Sequence, residues 1–247
     1  MSGSDVATVF VAALVTALAT GLGALPLLSS RVSGKLALGV ANAAASGVML
    51  GASASLFVEG IDRSTWRTGT GVLAGAAFVI LASRRLHAHH PGLELGSLRG
   101  EDAMKALLIV AVMTVHSVAE GVGVGAAFGG GETLGILIAI AIAVHNVPEG
   151  LAISLVLVPR GTSVPVAAGW SIFSSLPQPL LAVPAFLFVD AFQGILPAAL
   201  GFAAGAMVWM VVRELIPEAL EQAPRRLVAT TAAASFAAMI VFQAILL

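Results

Sequence analysis

The stretch ILIAIAIAVHNVPEGLAISLVLV, residues 136–158, places a short polar segment in the middle of a long apolar run. The segment contains His145, Asn146, Pro148 and Glu149. About 20 apolar residues are enough for a helix to cross about 30 Å of hydrocarbon, and this run exceeds that length. Because an ionisable side chain at the bilayer centre costs roughly 2.5–3.5 kcal/mol, the pattern indicates a functional site inside a membrane-spanning helix.

A second copy of the pattern lies in the preceding apolar run. HSVAEG at 116–121 and HNVPEG at 145–150 share the form H-x-V-x-E-G. In each copy His and Glu are four residues apart, which places both side chains on one face of a helix. His116 and His145 lie near the centres of their runs, so we predict two His/Glu pairs at one depth on neighbouring antiparallel helices.

The composition indicates an all-α integral membrane protein. Of the 247 residues 58% are hydrophobic and 10% are charged, whereas soluble domains carry about 25% charged residues. Long continuous apolar runs predict helices, because only helices and closed barrels satisfy their backbone in lipid. We expect one transmembrane domain, residues 1–247, with eight spans at 6–28, 36–58, 69–86, 103–128, 133–158, 164–189, 194–216 and 227–247.

The basic residues predict the orientation, since Lys and Arg concentrate in cytoplasmic loops. With both termini extracellular or periplasmic, only Arg63 and Arg67 of the 12 Lys and Arg residues fall outside. The expected location is the cell (plasma or inner) membrane. Residues 87–102 then form a cytoplasmic loop containing His87, His89 and His90. With a net charge of −1 and no long basic run, we do not expect a nucleic-acid partner.

The two carboxylates need a counter-charge, and no Lys or Arg lies near their depth. A bound divalent cation would supply it. Imidazole with carboxylate suits Zn²⁺, with Fe²⁺, Mn²⁺, Co²⁺ or Cd²⁺ as alternatives, and the absence of cysteine excludes thiolate ligands. Two other interpretations stay open. The His/Glu pairs could join helices through hydrogen bonds alone, or they could relay protons.

Prolines interrupt the helices beside this site. Pro148 removes a backbone hydrogen bond next to Glu149 and frees the carbonyl of Val144. The sixth run contains SSLPQPLLAVP at 174–184, which includes Gln178. Because discontinuous helices line substrate sites in transporters, we expect this segment to form a third wall.

A short internal similarity suggests inverted repeats. The second run contains AASGVML at 44–50 and the seventh contains AAGAMVW at 203–209; when they are aligned on Gly47 and Gly205, Met49 falls opposite Met207. The two runs are predicted to cross the membrane in opposite directions. Helices one to three and six to eight would then be inverted halves around the fourth and fifth.

With both motifs and the eight runs assembled, nearly the whole chain resembles the ZIP (Zrt-, Irt-like) family of divalent metal transporters. HNVPEGLAIS at 145–154 is the most specific stretch. The resemblance implies a 3+2+3 helix arrangement, transport of metal into the cytoplasm, and a rocking or elevator motion. It implies metal ligands or site residues at His116, Ser117, Glu120, His145, Asn146, Glu149, Gln178 and Met49.

Two positions depart from the family pattern. Gln178 stands where many members have Glu, and Ser117 stands where some have Asn. Glu120 and Glu149 supply a charge of −2, which balances one divalent ion, and a second ion would be uncompensated. We therefore hypothesise one ion, with Gln178 as a neutral, weaker oxygen ligand.

RELIPEAL at 213–220 resembles the family's ELxPE stretch, which makes Glu214 and Glu218 candidates for an exit path. His87, His89 and His90 are further candidates. Expected partners are divalent metal ions and the lipid bilayer. The sequence leaves the oligomeric state open, with a homodimer as one candidate. The bound metal would be the substrate, and no prosthetic group is expected.

The sequence favours metal transport over two alternatives, an intramembrane zinc metallohydrolase and a metal sensor without transport. Neither His is followed by Glu in an H-E-x-x-H arrangement, and the chain contains no G-x-S-x-G motif. We therefore do not expect an enzyme. Pro- and Gly-interrupted helices around the site argue for a permeation route over a closed sensor site.

Overall fold

The computed structural model describes residues 3–29, 34–88 and 100–246, and all regular structure in these ranges is helical. The described residues form nine α-helices: α1 (Gly3–Leu22), α2 (Lys35–Ala88), α3 (Gly100–Gly130), α4 (Glu132–Leu157), α5 (Val164–Ser175), α6 (Pro177–Ala191), α7 (Leu196–Met210), α8 (Ile216–Gln222) and α9 (Arg225–Leu246).

Seven helical stretches among the described residues are long and apolar enough to cross a membrane. Each of the predicted spans falls within one of these stretches, apart from residues at the span ends. The helices α3 and α4 cover the runs that carry the two His/Glu motifs. The all-α character predicted from composition is therefore confirmed, and the seven stretches are consistent with a multi-pass membrane protein.

One of the seven stretches contains two predicted spans, 36–58 and 69–86. Within α2, Ser64 has extended backbone angles (φ −168°, ψ 103°). In a straight helix Gly60 and Thr68 would be about 12 Å apart, at 1.5 Å per residue. Instead, a Cβ added to Gly60 would lie 2.8 Å from Thr68 Oγ1. The chain therefore reverses at Ser64, and α2 is a hairpin of two helices.

The sixth predicted span is interrupted, as its prolines indicated. The helix α5 ends at Ser175 and α6 begins at Pro177. Pro177 and Pro179 have no backbone N–H, so they cannot continue the α-helical hydrogen-bond ladder. The seventh span also has an irregular segment, because a π-helical turn at Val211–Leu215 separates α7 from α8.

The main core lies between the α2 hairpin, α7, α9 and the pair α3 and α4. Glycines allow backbone contact inside it. A Cβ on Gly47 would lie 2.1 Å from Ala232 O of α9, and one on Gly205 would lie 2.2 Å from Val72 O of α2. The second predicted span thus contacts the eighth, and the seventh contacts the third. In an inverted repeat of helices one to three and six to eight, the second span corresponds to the seventh and the third to the eighth. Such a repeat predicts that these two contacts occur together.

Candidate metal centre

The two His/Glu motifs converge at the contact between α3 and α4. His116 and Glu120 project from α3, and His145 and Glu149 project from α4. All four side chains are 0% exposed. One ligand atom from each lies within 4.8 Å of every other, which is close enough for one ion to touch all four. The four-residue spacing in each motif thus produces a His₂Glu₂ group.

Glu120 is at the middle of this group. Its Oε1 is 3.1 Å from His116 Nε2 and forms a hydrogen bond with His145 Nε2. His116 Nε2 is also 3.9 Å from Glu149 Oε2. The two imidazoles and two carboxylates therefore face one another and not the lipid, as the cost of burying them requires.

Several polar atoms of the group have no hydrogen-bond partner among the described residues. They include both carboxylate oxygens of Glu149 and Nε2 of His116. A buried polar atom left without a partner costs about 1–3 kcal/mol, and a charged one costs more. A cation would satisfy such atoms. Two imidazoles and two carboxylates also form a donor set typical of Zn²⁺.

The broken sixth span forms the third wall. A Cβ on Gly121, the last residue of the first motif, would lie 2.8 Å from the carbonyl oxygen of Gln178. Glycine at this position therefore allows α3 to touch the start of α6. The contact brings Gln178 to the site, where its Nε2 donates a hydrogen bond to Glu120 Oε2 at 2.6 Å.

The other end of the Gln178 amide faces α1. Gln178 Oε1 accepts hydrogen bonds from Thr16 Oγ1 at 2.5 Å and from Asn146 Nδ2 at 3.2 Å. Asn146 Nδ2 also donates to the backbone oxygen of Thr16 at 2.7 Å. The amide nitrogen of Gln178, not its oxygen, thus faces the His₂Glu₂ group. The predicted ligation through the oxygen would require the amide to turn.

Thr16 was not among the residues predicted for the site. A signal for it exists in the sequence, since Thr16 and Thr20, two of the three threonines of the first apolar run, are four residues apart and share one helix face. Both are buried, and Thr20 Oγ1 lies 2.8 Å from Ser175 Oγ at the end of α5. The hydroxyl face of α1 is therefore directed at the broken span.

Backbone contact holds α1 in this position. A Cβ on Gly150, the last residue of the second motif, would lie 1.7 Å from the carbonyl oxygen of Thr20. The glycine that ends each motif thus allows a neighbouring helix to approach, α6 at Gly121 and α1 at Gly150.

The remaining predicted site residues are buried. Ser117 Oγ and Asn146 Oδ1 have no hydrogen-bond partner among the described residues, so both could face a ligand. Met49 is fully buried in the main core. Their contribution to metal binding stays a prediction.

The predicted exit residues Glu214 and Glu218 line one cavity of about 720 Å³ with Glu221. Arg84 and Arg213 line it as well, so the cavity has charges of both signs. His87 lies near the end of α2, but its side chain is not among the described ones, and His89 and His90 lie outside the described residues. The role of the histidine loop stays a prediction.

Two comparisons with known proteins bear on this site. A family model described as "ZIP Zinc transporter" matches residues 85–243, a range that includes both motifs and Gln178. A protein of Arabidopsis thaliana named "Putative zinc transporter" is 47% identical over 239 residues. The alignment covers 95% of this chain and 38% of that protein, so the chain spans well under half the length of this curated relative.

Proposed function

Because this chain belongs to the ZIP zinc transporter family, we propose that it carries divalent transition-metal ions across a membrane into the cytoplasm. The observation that carries the proposal is the fully buried His₂Glu₂ group between α3 and α4. Zn²⁺ is the favoured substrate, because the donors are two nitrogens and carboxylate oxygens. Fe²⁺, Mn²⁺, Co²⁺ and Cd²⁺ accept the same atoms. Family membership favours transport over the metallohydrolase and sensor alternatives.

The proposed topology has eight spans, with both termini extracellular or periplasmic. The reversal at Ser64 supports the count, since it divides α2 into the second and third spans. The distribution of Lys and Arg supports the orientation. The proposed location is the plasma or inner membrane of the cell.

The enclosure of the site indicates how transport would proceed. All four candidate ligands are 0% exposed, so an ion held there is separated from both aqueous sides. Helices would have to move for the ion to enter or leave. The proposed cycle therefore exposes the His₂Glu₂ group to one side at a time, as in carriers whose site lies between repeats.

Uptake of Zn²⁺ into proteoliposomes with inserted protein of known orientation tests the proposal. We expect His145→Ala to reduce the initial rate at low Zn²⁺ by about 100-fold or more. Loss of a residue that only orients a ligand costs about 10–100-fold in metal affinity, and loss of a ligand should cost at least as much.

The matched control is Ile140→Ala, a truncation on the exposed side of the same helix. It should leave uptake near the wild-type rate. The proposal is contradicted if His145→Ala takes up Zn²⁺ as fast as the wild type. It is also contradicted if the wild type moves ions only from the cytoplasmic side to the other side.

We further propose that the site holds one ion. The charge of −2 on Glu120 and Glu149 supports this number, and so does the orientation of Gln178, whose amide nitrogen lies beside Glu120. Gln178→Glu would place a carboxylate oxygen next to Glu120 Oε2, where two like charges need a proton or a cation between them.

We expect the bound Zn²⁺ to rise from one to two ions per chain in Gln178→Glu, as measured by elemental analysis after equilibrium dialysis. The control Gln193→Glu makes the same change at an exposed residue and should still bind one. Two ions in the wild type would contradict the single-ion proposal. One ion in Gln178→Glu would show that a proton separates the two carboxylates and that Gln178 does not set the number of ions.

A further inference from the structure

The orientation of the Gln178 amide is fixed by a backbone atom. The carbonyl oxygen of Thr16 can only accept, so Asn146 must direct its Nδ2 group toward it. The same Nδ2 group also faces Gln178, which must therefore present its oxygen. Thr16 Oγ1 lies 2.5 Å from that oxygen and 2.6 Å from Ala13 O, so its one hydroxyl proton is shared between these two acceptors. The amide nitrogen of Gln178 is then left to face Glu120.

With the amide in this orientation, the two carboxylate oxygens of Glu120 have different partners. Oε2 accepts the hydrogen bond from Gln178 at 2.6 Å. Oε1 faces His116 and His145, where the other ligand atoms are. A turned amide would place two acceptors against each other at Glu120 and two donors against each other at Asn146. Glu120 therefore presents Oε1 to the other candidate ligands, while Oε2 is held by the amide of Gln178.

The number of carboxylate oxygens available matters for ion choice. Zn²⁺ is usually four-coordinate and tetrahedral, so two imidazoles and one oxygen from each carboxylate complete its shell. Mn²⁺ prefers octahedral, oxygen-rich surroundings. An oxygen withheld from the ion, such as Oε2 of Glu120, therefore disfavours Mn²⁺ more than four-coordinate Zn²⁺.

We propose that Thr16, acting through Gln178, holds Glu120 as a one-oxygen ligand and so gives the site its preference for four-coordinate Zn²⁺ over six-coordinate Mn²⁺. Thr16 is a positioning and specificity-determining residue that touches no ion. The proposal rests on the proposed function, since it assumes that the His₂Glu₂ group binds the transported metal.

The test is a pair of calorimetric titrations of the purified full chain, one with ZnCl₂ and one with MnCl₂. The readout is the ratio of the two dissociation constants. Thr16→Val keeps the shape of the side chain and removes its hydroxyl. We expect it to reduce the preference for Zn²⁺ by about tenfold, the lower end of effects for residues that orient ligands. Thr16→Ser restores the hydroxyl and should restore the ratio.

Gln178→Leu is a second, independent variant. It removes the donor to Glu120, while Thr16 Oγ1 keeps its bond to Ala13 O and Asn146 keeps its bond to Thr16 O. We expect the same reduced preference in Gln178→Leu. Because the two residues act on Glu120 in series, the double variant should lose no more than either single variant.

An unchanged ratio in both single variants would overturn the proposal. So would equal weakening of both ions, because that result indicates a purely structural role. Uptake assays separate this inference from the proposed function. A wild type that prefers Zn²⁺ through Thr16 but transports no metal would refute transport alone. A wild type that transports metal with a ratio independent of Thr16 would refute the inference alone.

Discussion

Glu149→Gln is expected to abolish high-affinity Zn²⁺ binding while making the metal-free protein more stable. Both oxygens of Glu149 are buried without a hydrogen-bond partner among the described residues. Removing its charge leaves a divalent ion balanced by Glu120 alone. A charge pair at 4 Å and an effective dielectric constant of about 20 is worth about 4 kcal/mol, or roughly a thousandfold in affinity.

The stability change has the opposite sign because a buried carboxylate without a partner is costly, and an amide is less so. Thermal unfolding with and without Zn²⁺ measures both effects. At 100 times its Kd, Zn²⁺ should stabilise the wild type by about 2.7 kcal/mol and Glu149→Gln hardly at all. Glu132→Gln, the same change at the exposed start of α4, should retain the full Zn²⁺ effect. Equal stabilisation of Glu149→Gln and wild type would show that Glu149 is not a ligand.

Gly150→Ala is expected to be the most damaging single-methyl change near the site. The added Cβ would lie 1.7 Å from the carbonyl oxygen of Thr20. The position of the Cβ is fixed by the backbone of α4, and the oxygen belongs to the backbone of α1. No flexible side chain can therefore move aside, and α1 must shift away from α4. We expect a loss of stability of about 3 kcal/mol or more, above the usual range for an overpacked core. The shift should also separate Thr16 from Asn146 and weaken Zn²⁺ binding.

The matched control is Gly169→Ala in α5, where an added Cβ would meet nothing within 4 Å. There we expect no loss, and a gain of up to about 1 kcal/mol from helix propensity. Thermal unfolding of both variants in the same detergent compares them. If Gly150→Ala is as stable as Gly169→Ala, the backbone contact between α1 and α4 does not contribute to the fold.

Local features of the sequence were sufficient to predict the centre of the site. The four-residue spacing of His116 and Glu120, repeated at His145 and Glu149, depends only on helix geometry, and the structure brings these four side chains together. The break in the sixth span follows equally from Pro177 and Pro179, because a missing N–H acts wherever the helix lies. Predictions of this kind require no knowledge of which helices become neighbours.

The role of Thr16 could not be predicted in the same way. Its importance depends on which face of α1 meets Asn146 and Gln178, and this is set by the contact of Gly150 with Thr20 across two distant segments. The orientation of the Gln178 amide could not be predicted for the same reason. A glutamine can present either end of its amide, and the choice follows from the partners that surround it. The segment 59–68 was expected as a loop, but it is helical on both sides of Ser64, since hydrophobicity reports the membrane boundary and not the helix end.

The backbone contact between Gly150 and Thr20 also bears on how selection and movement are combined. A backbone contact this close packs α1 tightly on α4, and we expect a displacement of α4 to take α1 with it. Thr16 would then keep its bond to Asn146 throughout a transport cycle. The residues that select the ion would then move with it from one side of the membrane to the other. Selection would therefore act throughout the cycle and not only at a gate that the ion passes once.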